Sequence, residues 1–307
     1  MRRIRVAAIA ALLVAAITWA PPVSGQNLEV ETRRAVRYAT HDGVSLAGDL
    51  YVPQTPGKYP VIVAVHGGGW QGGTEASYRY WGPYLARHGV ALFSIAYRLS
   101  KPDQPTFPQA VHDVRAAIQF VKQNAVDLKI DAERVGLMGD SAGGHLVALV
   151  GLAGDAPIFA AGYPNDPYRT VSTRVKAVVA AYGVYDLLQQ WSHDQLWRPN
   201  DQIAQKFVGK APMDDRKVYF DASPLSYAVR ANNKASFLLT WGTADDVVDP
   251  VTQAEPFLMA LRQAGAFVRI APVQAAPHFW FSEPLDEPHS FSGSIAPRVL
   301  RFLRDRL

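Results

Sequence analysis

The 307 residues are 49% hydrophobic and 19% charged, a balance that supplies a globular core and excludes a disordered chain. With 31 basic and 27 acidic residues the formal charge is +4, and no basic run marks a nucleic-acid surface. There is no cysteine, which excludes disulfides and thiolate-ligated metals.

The chain opens on Arg2, Arg3 and Arg5, followed by an apolar run from Val6 to about Ala20 and then Pro21-Pro22-Val23-Ser24-Gly25. A basic start, a short apolar stretch and small residues before a cleavage point make a secretory signal peptide, residues 1–25, with the cut near Gly25. The apolar run falls short of the ~20 residues a membrane span needs, so no stable membrane anchor is expected. This points to export, to the periplasm or the medium. Removing the three arginines leaves 28 basic and 27 acidic residues, a net charge of +1, so the basic balance belongs to the leader.

From residue 26 onward the elements follow in a regular order. Two strand-like stretches, Arg34–Thr40 and Val44–Val52, flank His41-Asp42-Gly43, and Asp-Gly is a hairpin signal. After a turn-rich loop, Val61–Val65 is a short continuous apolar run, the pattern of a strand buried on both faces of a parallel sheet. His66-Gly67-Gly68-Gly69-Trp70 follows at once. Consecutive glycines there expose backbone N–H groups unobstructed, the donors that stabilise an oxyanion; the phosphate-binding alternative lacks the P-loop spacing and its lysine. His66 reads as a residue holding this loop. Val90–Tyr97 is a strand, and Pro108–Asn124 a helix with Val111, Val114, Ile118 and Val121 on one stripe.

Val135–Met138 is a strand and Ser141–Leu152 a helix, with Gly139-Asp140-Ser141-Ala142-Gly143 between them. The pentapeptide G-x-S-x-G is common alone, but strand, tight turn and helix in succession are the setting that holds a serine nucleophile, Ser141, at a helix N-terminus. A second oxyanion donor is then the N–H of Ala142, beside those of Gly68 and Gly69. Val175–Tyr182 and Phe237–Trp241 are strands, Val251–Ala264 a helix ended by Gly265, Phe267–Val273 a last strand and Pro297–Leu307 a closing helix. The alternation predicts an α/β fold with a mostly parallel central sheet flanked by helices. Residues 187–233 break the rhythm, are polar and aromatic, and are expected to form an inserted cap or lid on the single domain 26–307.

The glycine loop and the Gly139–Gly144 turn, with Tyr97-Arg98-Leu99-Ser100 and Phe107–Val114, resemble the hormone-sensitive-lipase-like esterases of the α/β-hydrolase superfamily, and within them small bacterial carboxylesterases of the feruloyl- and acetyl-xylan-esterase kind. The resemblance covers nearly all of the chain after the leader. It implies the triad order Ser…Asp…His. Asp245 and Asp246 both follow the strand Phe237–Trp241; the family's G-x-x-D pattern selects Asp245 as the acid, although Trp241 stands where a His is common. His278 follows the last strand and is the implied base, with His289 as its rival. Asp113 and Asp140 read as structural carboxylates.

Trp70, Trp81, Tyr185, Trp191, Trp197, Phe279 and Trp280 lie near the motifs or in the insertion, and Trp70, beside the glycine loop, is the expected substrate-binding residue. The resemblance implies a small-molecule ester substrate, hydrolysed through an acyl-enzyme without cofactor or metal. An arylformamidase-like amide hydrolase shares the same triad and the glycine loop. A non-catalytic ligand-binding protein on this fold would be marked by loss of a triad residue, and none is lost.

Overall fold

The computed structural model describes residues 27–307; the expected leader lies outside them. The described chain begins with a hairpin, β1 (Val30–His41) and β2 (Val44–Pro53), antiparallel about a two-residue turn at Asp42-Gly43. Both turn residues have positive φ, 52° and 77°, which is what a type I′ connection demands and Asp-Gly supplies.

Six further strands complete one sheet: β3 (Tyr59–Val65), β4 (Ala91–Ile95), β5 (Ile130–Asp140), β6 (Ala177–Ala181), β7 (Ser236–Thr240) and β8 (Val268–Ile270). The order is β1-β2-β4-β3-β5-β6-β7-β8, with β2 antiparallel to β4 and every pair from β4 to β8 parallel. Val61–Val65, Ala91–Ile95 and Ala177–Ala181 are buried throughout, as strands covered by helices on both faces must be. This is the α/β-hydrolase fold.

Strand order reverses around β3, which has β4 on one side and β5 on the other. In open α/β sheets the crevice beyond the carboxyl ends of the strands at such a switch point receives ligands. Here β3 ends in His66-Gly67-Gly68-Gly69 and β5 ends in Asp140-Ser141, so the topology alone brings the two motifs to one place.

The helices are α1 (Trp81–Arg87), α2 (Gln109–Gln123), α3 (Ala142–Ala153), α4 (Pro157–Ala160), α8 (Ala254–Gln263) and α9 (Phe291–Arg306), with α5 to α7 in the insertion. Several boundaries differ from those expected: β1 and β5 begin four and five residues earlier, at Val30 and Ile130, and the two at the C-terminal end have identifiable causes. The closing helix starts at Phe291, capped by Ser290 Oγ accepting from the Gly293 N–H at 3.0 Å, and runs through Pro297. A proline is tolerated in the first turn, so it marks a start by default; here the true start is the serine cap seven residues earlier. The last strand keeps only three ladder residues, and the chain rejoins the sheet through a single bridge between Gly242 and Val273.

The insertion holds α5 (Leu187–Trp197), α6 (Ile203–Val208) and α7 (Arg216–Ala222), short helices whose polar residues carry no strong period. Buried polar groups fasten it. The Gln190 amide donates to the Val247 carbonyl at 3.1 Å and to Asp194 Oδ1 at 3.0 Å, while Asp194 Oδ2 accepts from the Ala204 N–H. The Gln253 amide oxygen accepts from the Tyr185 and Asp186 N–H groups, tying the entry of the insertion to the N-cap of α8. No helix among the described residues is long and apolar enough to cross a membrane.

Candidate active site

Ser141 sits between β5 and α3 with φ 53° and ψ −121°, outside the regions an ordinary residue occupies. Such strain persists only where the surroundings fix it, and it lifts the side chain clear of strand and helix. The Ser141 N–H donates to the Ala181 carbonyl of β6 at 2.9 Å and its carbonyl accepts from His145 N–H at 2.9 Å. Glycine is required around it by close approach. A Cβ on Gly143 would collide with the Val65 carbonyl at the end of β3, and one on Gly139 with the Gly143 carbonyl.

The structure brings the three expected side chains together. His278 Nε2 lies 2.9 Å from Ser141 Oγ, and His278 Nδ1 lies 2.7 Å from Asp245 Oδ2. All three are buried. Asp245 is the partner and Asp246, beside it, is exposed. The other Asp245 oxygen, Oδ1, accepts the N–H groups of Val247 and Val248 at 3.0 and 2.9 Å, which locks the carboxylate in place. The loops that carry acid and base are fused: Thr243 N–H donates to Val273 and Ala244 N–H to Ala276, and Gly242 leaves no room for a Cβ against the Ala276 carbonyl. The Tyr182 ring lies 4.5 Å from the His278 ring. His289 is exposed before the Ser290 cap and takes no part.

With Nδ1 donating to Asp245, His278 presents Nε2 as an acceptor to the serine hydroxyl, the arrangement of a general base. Gly68 and Gly69 hold φ of 112° and 58°, and the Gly68 carbonyl turns back to accept from Gln71 and Gly72 N–H. Among the described residues the N–H groups of Gly68, Gly69 and Ala142 find no acceptor, which leaves them free for a ligand oxygen.

Sequence reasoning read Asp140 as structural but missed its partners in the brace beneath these loops. Asp140 Oδ1 accepts from the Gly67 N–H at 3.2 Å and from the Tyr78 hydroxyl at 2.9 Å. A Cβ on Gly67 would lie 2.6 Å from Asp140 Oδ2 and 3.0 Å from Ser141 Cβ, so the glycine loop rests on the nucleophile turn itself. The only signal was the position of Asp140 inside the motif; Tyr78, sixty-two residues away, carried none. Burial pushes the Asp140 carboxyl up to about 6 against the pull of the Tyr78 hydrogen bond, the His278 charge and the Gly67 N–H. Folding therefore favours its protonated form, and this contribution is lost as pH rises from the unfolded value near 4 through about 6. Asp140→Asn keeps an acceptor oxygen for Gly67 and Tyr78 and removes the ionisation. Its stability relative to the wild type should improve between pH 4 and 6 by roughly 3 kcal/mol at most, then stay level. Denaturant unfolding across that range checks this; a difference that does not change with pH contradicts it.

Trp70 is a correction. Its side chain is wholly buried (0% exposed), stacks on Phe207 at 4.4 Å and donates through Nε1 to His145 Nδ1 at 3.2 Å. His145 Nε2–H donates in turn to the Ala222 carbonyl at 2.7 Å, and burial holds this imidazole neutral with its pKa down at about 4. Trp70 thus ties the glycine loop to α3 and the insertion and offers no face to a substrate. Trp81, Trp280 and Tyr185 are likewise core residues. His66 is buried, with Nδ1 2.7 Å from the Gly67 carbonyl and its ring on Tyr97, holding the loop as expected. Among the described residues no group of three or more metal-ligating side chains could hold an ion.

The BD-FAE family model matches residues 48–261. The chain is 32% identical to esterase LipQ of Mycobacterium tuberculosis, across 69% of this chain and 48% of that protein, and 32% identical to esterase LipC of the same organism, across 79% and 58%. It spans about half the length of the curated relatives it matches. Among solved structures it superposes on the propionate-bound Est2 esterase of Thermogutta terrifontis with a TM-score of 0.71 at 25% identity, covering 93% of this chain and 96% of that one.

Proposed function

The chain belongs to the BD-FAE family, and from that premise we propose that it is a serine carboxylesterase cleaving short-chain or aromatic carboxylic esters through an acyl-enzyme. The observation that carries this reading is the continuous relay from Ser141 Oγ through His278 to Asp245 at the carboxyl edge of the sheet. Ser141 attacks the ester carbonyl as His278 Nε2 takes its proton. The N–H groups of Gly68, Gly69 and Ala142 receive the oxyanion. His278 then returns the proton to the leaving alcohol, and water repeats the sequence to free the acid. Relatives named as esterases support the reaction class, and the propionate held by the Thermogutta protein supports a short acyl group. The Arg2–Gly25 segment supports export from the cell.

The test is turnover of p-nitrophenyl acetate, butyrate and decanoate beside N-formyl aromatic amides. The esterase reading expects acetate or butyrate to give the highest kcat/KM. Cleavage of the formamides alone would replace it with the arylformamidase-like reading.

A further inference from the structure

One cleft, of about 630 Å³, includes the catalytic Asp245 in its wall together with Phe279, Asp246, His193 and Trp197. Two of these are large apolar side chains left in solvent: Trp197 is 74% exposed and Phe279 is 64% exposed. Phe279 is held with φ 66°, a left-handed conformation that is costly for a bulky residue, and its ring stands edge-on to the His278 imidazole with centroids 4.4 Å apart. His193 and Trp197 are four residues apart on α5 and so share a face. Gln190 and Asp194 adjoin them on the same stripe and are spent on the fastening bonds. His193 Nδ1 is shielded and finds no partner among the described residues.

The direction of proton transfer says which half of an ester this cleft receives. Collapse of the tetrahedral intermediate breaks the bond to the alcohol oxygen, which takes the proton from His278 Nε2 and departs as the alcohol, while the acyl group stays on Ser141 Oγ. The alcohol must therefore lie on the His278 side of Ser141, with the carbonyl oxygen turned to the glycine loop. The cleft is on the His278 side, bounded by the residue that orients that imidazole and by the residue that follows it.

Resting on the esterase reading, we propose that Trp197 and Phe279 are specificity-determining residues that hold a ring-shaped, uncharged alcohol moiety. Aromatic faces across a cleft suit a flat or cyclic group. Three carboxylates in the same wall, Asp245, Asp246 and Asp249, outnumber its one cation, Arg198, which is already paired with Asp201, and disfavour an anionic one.

The test uses three acetates whose alcohols differ little in leaving ability: ethyl acetate, benzyl acetate and 4-(acetoxymethyl)benzoate. Trp197→Ala, and Phe279→Gly, which suits the left-handed backbone, are each expected to lower the benzyl-to-ethyl ratio of kcat/KM by about tenfold. Damage to the triad would scale both esters alike and leave the ratio where it was. Asp246→Lys is expected to raise the kcat/KM of the benzoate relative to benzyl acetate. Cleavage of the esters with ratios unmoved in the variants overturns the subsite alone. A wild-type protein that cleaves none of the three faster than Ser141→Ala overturns the esterase reading and the subsite with it.

Discussion

Ser141→Ala is expected to lower kcat for the best p-nitrophenyl ester by about 10⁶-fold, with residual turnover still above that in water. The residue has no substitute, because no other hydroxyl contacts His278 Nε2 among the described residues. The proposed donors at Gly68, Gly69 and Ala142, which the substitution leaves untouched, are expected to supply the remaining rate. Because base and nucleophile act as a unit, the double variant with His278→Ala should be little worse than either single variant. His289→Ala, which alters an exposed imidazole outside the relay, should keep wild-type kcat. Losses that add in the double variant, or a His289→Ala protein as damaged as His278→Ala, would contradict this account of the base.

Asp245→Asn carries the second large effect, about 10⁴-fold in kcat, and the direction follows from its hydrogen bonds. Oδ1 accepts two backbone N–H groups, from Val247 and Val248, so an asparagine must place its amide oxygen there. Its amide nitrogen then faces His278 Nδ1 and donates to it. The imidazole proton is forced onto Nε2, where it blocks uptake of the serine proton. Isosteric replacement thus preserves the shape and selects the wrong tautomer. The loss should ease only if the asparagine can turn, which the two backbone bonds oppose. Steady-state kinetics with a circular dichroism check of folding measures this. A variant within tenfold of the wild type would mean that Asp245 is not the orienting group.

Much of this was legible in the sequence because the physics is local. Val61–Val65 is a continuous apolar run of the kind a doubly covered strand buries, and with the alternation of strands and helices it pointed to the parallel sheet. The nucleophile turn was legible because strand, glycine-flanked serine and helix adjoin in the chain. The acid and base needed the family order, since their bonds to each other and to Ser141 span 33 and 137 residues of separation and leave no periodic trace. Trp70 shows the opposite limit. Proximity in sequence to the glycine loop suggested contact with substrate, but a tryptophan also fills a core, and Phe207 and His145, both distant in the chain, decided which. Tyr78 as the partner of Asp140, and the cleft that His193 and Trp197 line, were invisible for the same reason: their meaning depends on what faces them.

The central claim is that Ser141 is the group that becomes acylated, and covalent trapping reads it directly. The wild-type protein would be treated with a fluorophosphonate until esterase activity is lost, then weighed intact and mapped by peptide mass spectrometry. The expected result is one adduct per chain, on the peptide that contains Ser141, with no adduct on Ser141→Ala or on His278→Ala under the same exposure. An adduct on a different residue, or complete loss of activity with Ser141 unmodified, would contradict the relay on which the whole account stands.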